Sequence, residues 1–227
     1  MSLKQFLFKY KHAIAIVYLP IYMVWFTMLE RRSDVEFADM HCIIDDWIPF
    51  CEIFIIPYLL WFLYVAVSLL FLFLQTAHLK DFYRCVAMLI LGMTTCLFIY
   101  TIFPNAQSMR PTTFARDNIF TDIIGILYST DTATNVCPSI HVYNSIAIHV
   151  GLTRSYMLRD KKGWRYASLI LCVLICLSTM FLKQHSFLDV LAAIILYLAY
   201  EFIAEQTRLF RRGPAPAPAK AKSKQNA

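Results

Sequence analysis

Residues 53–74 read IFIIPYLLWFLYVAVSLLFLFL, without one charged side chain. A run of roughly 20 apolar residues matches the hydrocarbon thickness of a bilayer when it is helical. In water such a segment has nowhere to put its outer face. Further apolar runs follow the same pattern, and six segments are expected to span: 12–29, 54–76, 83–103, 141–158, 165–182 and 187–207. All six read as helices, because lipid leaves backbone groups no partner outside their own segment. Charged residues make up 16% of the chain, against about 25% in a soluble domain. The expected fold is therefore all-α, an integral membrane bundle of six transmembrane helices.

Charge sets the orientation. Of the 21 Lys and Arg, all but Arg31, Arg32, Arg110, Arg116 and Lys183 fall in the N-terminus, the loops HLKDFYR and TRSYMLRDKKGWR, and the tail. Cationic loops stay on the cytoplasmic side, so both termini are expected to be cytoplasmic. The loops after spans one, three and five then face outward. The first apolar run resembles a signal peptide in its basic flank, but it ends in TMLERRSD with no small-residue cleavage site, and reads as a retained span.

Three parts follow: an N-terminal span with an interfacial outer loop (1–53), a membrane core (54–207) and a Pro/Ala/Lys-rich tail (208–227) expected to be disordered. The first outer loop mixes acids with aromatics, and Trp47, Pro49 and Phe50 suit the headgroup level, as a connector or as a rim for lipid access. Cys42 and Cys51 share that loop and have the option of pairing. Cys172 and Cys176 read as small packing residues inside an apolar helix.

Three outward-facing stretches carry chemistry. In KQHSFLD, His185 and Asp189 are four residues apart at a helix start and share a face. The carboxylate suits the imidazole Nδ1–H, which fixes the tautomer and leaves Nε2 as a nucleophile. An acid at the start of a long apolar span is costly and points to function, although a packing histidine beside a capping acid has the same spacing. In CPSIH, Pro138 fits the first turn of a helix and Ser139 puts a hydroxyl beside free backbone N–H groups, a ready anion site. His141 is placed to give a proton to a leaving oxygen. In SMRP, Arg110 offers a bidentate fork for phosphate. His149, deeper in the fourth span, is expected to hydrogen-bond a neighbouring helix. Asp131 and Asn135 are expected to brace the loop before Pro138.

Arg-Pro, then Pro-Ser-x-His, then Ser-Thr-x5-His-x3-Asp resembles the signature of the type 2 phosphatidic acid phosphatase and haloperoxidase superfamily, over roughly residues 54–207. The resemblance implies that His185 attacks phosphorus to form a phosphohistidine, that Asp189 orients it, and that His141 protonates the leaving lipid alkoxide and then helps water attack. It implies that Arg110, Ser139 and local backbone N–H groups, that of Ile140 among them, hold the phosphoryl oxygens, with neither metal nor cofactor. The implied partners are the bilayer, in the plasma membrane, and a lipid phosphate met on the extracytoplasmic side; nucleic acid has no place.

The chain departs from the family pattern twice. The leading Lys of the first motif is replaced by Phe103, and the Ser-Arg of the third motif is Ser178-Thr179 here. Thr179 stands in the phosphate-binding position, and Lys183 is a candidate replacement for a missing cation. A phosphomonoester carries nearly two charges at neutral pH, whereas a phosphodiester carries one. The deficit therefore keeps open a second reading beside lipid phosphate hydrolysis: head-group transfer, as in inositol phosphorylceramide and sphingomyelin synthases; the stretch DDWIPFCEIFIIPYLLW also looks like bacterial members grouped near that branch. A non-catalytic lipid-phosphate binder or transporter is a third. A zinc site built from His141, His185, Asp189 and Cys137 is a fourth, but it gives Ser139 and Arg110 no role. The particular lipid and the oligomeric state stay open.

Overall fold

A computed structural model of the protein describes residues 15–207. The basic N-terminus with Lys4, Lys9 and Lys11, and the tail 208–227, lie outside the described residues. The fold is almost wholly helical. Helix α1 (Tyr18–Glu30) leads into an outer loop holding β1 (Ala38–Asp39) and a short helix α2 (Ile43–Trp47). Then come α3 (Ile55–Leu74), entered through a 3-10 turn at Glu52–Phe54, and α4 (Leu79–Ile102). A second outer loop carries β2 (Asn105–Ala106) and α5 (Ile119–Thr130). The last three helices are α6 (Ile140–Arg154), α7 (Lys162–Phe181) and α8 (Phe187–Gln206).

Among the described residues, four helical segments are long and apolar enough to cross a membrane: Glu52–Leu74, Thr76–Ile102, Lys162–Phe181 and Phe187–Gln206. Their outer faces display rows of exposed apolar side chains, such as Leu63, Val67, Leu70 and Leu74 on α3. The other two expected spans are shorter among the described residues, and residues 12–14 of the first lie outside them. Helix α1 has 13 residues and α6 has 15, against the ~20 that a perpendicular crossing takes.

Helix α6 differs from the other spans in where it sits. It packs against α3, α4, α7 and α8 together and buries Ile140, Val142, Tyr143, Asn144, Ser145, Ala147 and Ile148. A helix enclosed on nearly all sides has no need of a lipid-facing apolar stripe, which is why residues 141–158 look the least apolar. Close approach to α4 depends on small residues. A Cβ at Gly92 would fall 1.9 Å from the Tyr143 ring, and one at Gly151 would fall 2.7 Å from Cys85 Sγ. Tyr143 crosses that contact to donate its hydroxyl to the Met88 carbonyl at 2.9 Å. Lower in the bundle His149 Nδ1 lies 2.9 Å from Ser168 Oγ, which in turn lies 2.6 Å from the Tyr64 hydroxyl. His149 thus bridges α6 to α7, as expected.

The two ends of the bundle differ in character. At one end Glu201 of α8 is held by Arg84 and Arg154 and accepts from the Tyr197 hydroxyl at 3.2 Å. At the other end the outer loops interlock. Strand β1 pairs in parallel with β2, Ala38 opposite Asn105. Asn105 is fully buried, and its side chain bonds Phe103, Val136 and Cys137 main-chain atoms. Asn135 takes a left-handed backbone (φ 57°), which Asn tolerates well; its side chain donates to Glu30 at 2.8 Å and accepts from Arg32 at 3.3 Å. Helix α1 therefore grips the loop that precedes Pro138. All seven cysteines are free thiols, so Cys42 and Cys51 are unpaired in the structure.

Candidate functional site

The site is assembled where α6 and α8 begin. Ser139 is the N-cap of α6 and its Oγ accepts from Val142 N at 3.4 Å. The Tyr100 hydroxyl donates to the Pro138 carbonyl at 2.5 Å, fixing the chain just before the cap. The amides that open a helix have no acceptor inside it, so those of Ile140 and His141 are left pointing out of the α6 start. Ser186 caps α8 in the same manner, accepting from Leu188 N at 2.9 Å, and Asp189 completes the capping box by accepting from Ser186 N at 2.9 Å.

The same Asp189 oxygen, Oδ2, lies 3.2 Å from His185 Nδ1. Asp189 is completely buried and His185 nearly so. The carboxylate thus acts both as helix cap and as orienting partner of the imidazole, and the two readings of the His-x3-Asp spacing coexist in one group. Nδ1 is taken, so Nε2 is the ring nitrogen left for a further partner. The other Asp189 oxygen, Oδ1, is buried without a hydrogen-bond partner. Burial and the neighbouring Asp189 carboxylate push the Cys137 thiol up to about 12.

His141 rises from the first turn of α6 between two aromatic rings of α3, with centroids 4.9 Å from Tyr58 and 4.4 Å from Trp61. Its own centroid is 5.7 Å from that of His185. The two imidazoles that the sequence puts at separate helix starts are neighbours.

The expected phosphate-binding residues divide into two groups. Ser139 and Ile140 stand at the α6 start beside the histidines. Arg110 reaches the segment that carries His185 but is largely engaged elsewhere. One terminal nitrogen donates to the carbonyls of Asp131 (2.7 Å) and Tyr128 (3.4 Å), the other to the Thr132 carbonyl (2.8 Å) and to Gln184 Oε1. The guanidinium also lies over the Tyr128 ring. It closes the C-terminus of α5, where a cation meets the negative end of the helix. Burial lowers its pKa, and burial likewise pushes the Asp131 carboxyl up while Arg110 pulls it back. Arg110 Nε remains buried and without a partner.

Thr179 turns its hydroxyl back onto the Cys176 carbonyl at 2.8 Å. Its own carbonyl accepts from both Gln184 N (2.9 Å) and His185 N (3.0 Å), so it shapes the turn that presents His185. Lys183 takes a left-handed backbone at φ 52°, a position where helices usually end in Gly. Its ammonium donates to the carbonyls of Asp45 (2.8 Å) and Ile48 (2.6 Å) in the first outer loop. Its ligands in this structure are main-chain oxygens.

Three residues of the site escape sequence reasoning. Gln184 is buried, its Oε1 faces Arg110, and its Nε2 is buried without a partner. The amide orientation follows from chemistry, since Arg offers donors only. Trp61 Nε1, beside His141, is a further buried donor with no partner. Asp45 accepts from Phe187 N at 2.7 Å across the loops. Polar residues next to His185 and in DDW are the only sequence signals for Gln184 and Asp45, and neither spacing singles them out.

Among the described residues no three or more His, Cys, Asp or Glu side chains converge to hold a metal ion. No protein-family model, curated protein or solved structure matches the chain.

Proposed function

We propose that this protein is a membrane enzyme that removes a phosphoryl group from a lipid phosphate through a phosphohistidine on His185. The observation that carries this reading is the paired imidazole arrangement: His185 held at Nδ1 by Asp189 at 3.2 Å, with the His141 ring 5.7 Å away at a helix start. His185 Nε2 attacks phosphorus, the bond from phosphorus to the lipid oxygen breaks, and His141 gives its proton to that oxygen. Water then attacks the phosphohistidine, His141 takes the water's proton, the P–N bond breaks, and phosphate leaves. The unpartnered donors Arg110 Nε, Gln184 Nε2 and Trp61 Nε1, with the first amides of α6, supply the hydrogen bonds that a phosphoryl group's oxygens demand in the transition state. A buried donor without an acceptor is costly unless a ligand satisfies it.

In this reading α1 and α6 complete six membrane crossings. Both termini are cytoplasmic, and the site opens to the extracytoplasmic face of the plasma membrane.

One observation favours head-group transfer as a second reading. Lys183 and most of the Arg110 donors are engaged with carbonyls, which leaves little cationic capacity for a dianionic monoester. A singly charged phosphodiester fits such a site better, with a lipid alcohol replacing water in the second step.

The deciding experiment assays the purified protein in detergent against phosphatidate, a polyprenyl pyrophosphate and a phosphosphingolipid, with and without an alcohol acceptor. Free phosphate marks hydrolysis and a new phosphodiester marks transfer. His185→Ala is expected to abolish both. Turnover that survives this substitution would rule out the phosphohistidine route.

A further inference from the structure

The first outer loop reaches across the molecule to the segment that carries His185. Asp45 is 2% exposed although it lies in a five-residue surface helix. Its Oδ1 accepts from Phe187 N at 2.7 Å, and its Oδ2 accepts from Cys42 N at 2.8 Å. Its main-chain carbonyl, with that of Ile48, accepts from Lys183 Nζ. The segment 183–187 is therefore gripped at both ends from residues 42–48, with His185 between the grips. Gln107 adds a third bond by donating to the Lys183 carbonyl at 2.8 Å.

This grip answers a local problem. Lys183 adopts a backbone conformation that costs a side-chain-bearing residue about 1 kcal/mol or more. Such a conformation persists only where its surroundings over-determine it. Phe187 N is one of the orphan amides of the α8 start, and the Asp45 carboxylate satisfies it from outside the helix while its charge complements the helix dipole.

We infer that Asp45 is a positioning residue for His185, acting with Lys183 as a two-ended clamp that sets the imidazole against His141 and the phosphoryl group. The inference rests on the reading of His185 as nucleophile. It gives Lys183 a role other than phosphate binding: Lys183 holds the loop, and the loop holds the histidine. Misplacement of a reacting group by about 1 Å costs on the order of a hundredfold in rate.

Two measurements on the full-length protein in detergent test this. The first is hydrogen exchange on 183–187, which needs no substrate. The second is steady-state kinetics with whichever of phosphatidate, polyprenyl pyrophosphate or phosphosphingolipid the wild type turns over. Asp45→Asn is expected to speed exchange at the Phe187 amide and to lower kcat roughly tenfold to a hundredfold, with KM within about twofold because a positioning role leaves ground-state binding alone. Lys183→Met is expected to do the same, Lys183→Arg to restore most of the rate, and the double variant to lose little more than either single one. Asp46→Asn, which gives up only the exposed His41 bond on the same turn, is expected to lower kcat far less than Asp45→Asn. Unaltered exchange and kcat in Asp45→Asn, a KM-only effect in Lys183→Met, or an equal loss in Asp46→Asn would overturn the clamp. If Asp45→Asn yields no folded protein, Lys183→Met carries the test with the same outcomes. Turnover surviving His185→Ala would instead overturn the nucleophile, a result none of the clamp variants produces.

Discussion

The main-chain amide of Ser139 donates to the carbonyl of Asp189 at 3.1 Å. This bond joins the cap of α6 to the first turn of α8, and it explains how two histidines far apart in sequence come to face each other. Neither helix start is free to drift without the other, so the spacing of the imidazoles is a property of the backbone.

Asp189→Asn tests the orienting role. The amide oxygen still accepts from Ser186 N, which keeps the cap, but the side chain no longer presents a carboxylate to His185 Nδ1. We expect folded protein with kcat lowered roughly a hundredfold or more, by analogy with the loss of a carboxylate behind a catalytic imidazole. Circular dichroism and single-turnover labelling of His185 check the two halves of this statement.

Gln184→Leu removes a buried donor without changing the local charge. Loss of one preorganised donor to a developing phosphoryl charge costs on the order of a hundredfold in kcat. Gln184→Glu puts an anion in the same place and is expected to cost more. A kinetic comparison of the two variants, with unfolding midpoints to exclude collapse of the Arg110 contact, decides it.

Gly92 gives α4 room for the Tyr143 ring of α6. Gly92→Val drives side-chain atoms into the Tyr143 ring, which is itself fully buried and bonded to Met88. We expect a stability loss of about 1–3 kcal/mol or more from overpacking, read as a lower unfolding temperature in detergent. Tyr143→Phe keeps the packing and loses one hydrogen bond, and is expected to cost about 1 kcal/mol.

His41 Nε2 lies 2.7 Å from Asp46 Oδ1, and this hydrogen bond raises its pKa above the ordinary 6.5. A raised folded value means that the folded loop holds the proton more tightly than the unfolded chain does. The pair therefore steadies α2 fully below pH 6.5, and its contribution fades as pH climbs through the raised value. An NMR titration of the His41 ring is expected to give a midpoint above 6.5 that returns toward the ordinary value in Asp46→Asn.

The features legible in the sequence are those governed by local rules. The start of a helix at Pro138-Ser139 is legible by residue type, although Pro138 lies just before the Ser139 cap and not in the first turn. The four-residue spacing of His185 and Asp189 follows from helix periodicity, and the distribution of Lys and Arg puts both histidines at one end. Helix α5 was hidden inside an outer loop, although Asn118 and Thr121 form its capping box and the run after them is amphipathic at helical spacing; at 12 residues it is too short to stand out as a span. The fate of Arg110 and Lys183 was hidden too. Charge type and position suggest phosphate for both, but a cation's partner is chosen by tertiary geometry, and here the nearest acceptors are carbonyls of α5 and of the first outer loop. The burial of α6 accounts for its weaker apolar signal, since a helix surrounded by other helices carries polar residues that a lipid-facing span excludes.

One oxygen, Asp189 Oδ2, serves a backbone amide and an imidazole at once. Fraying of a single turn of α8 therefore disarms His185 at the same moment. On the proposed reading, gentle warming or a harsh detergent should cost turnover before the bundle melts.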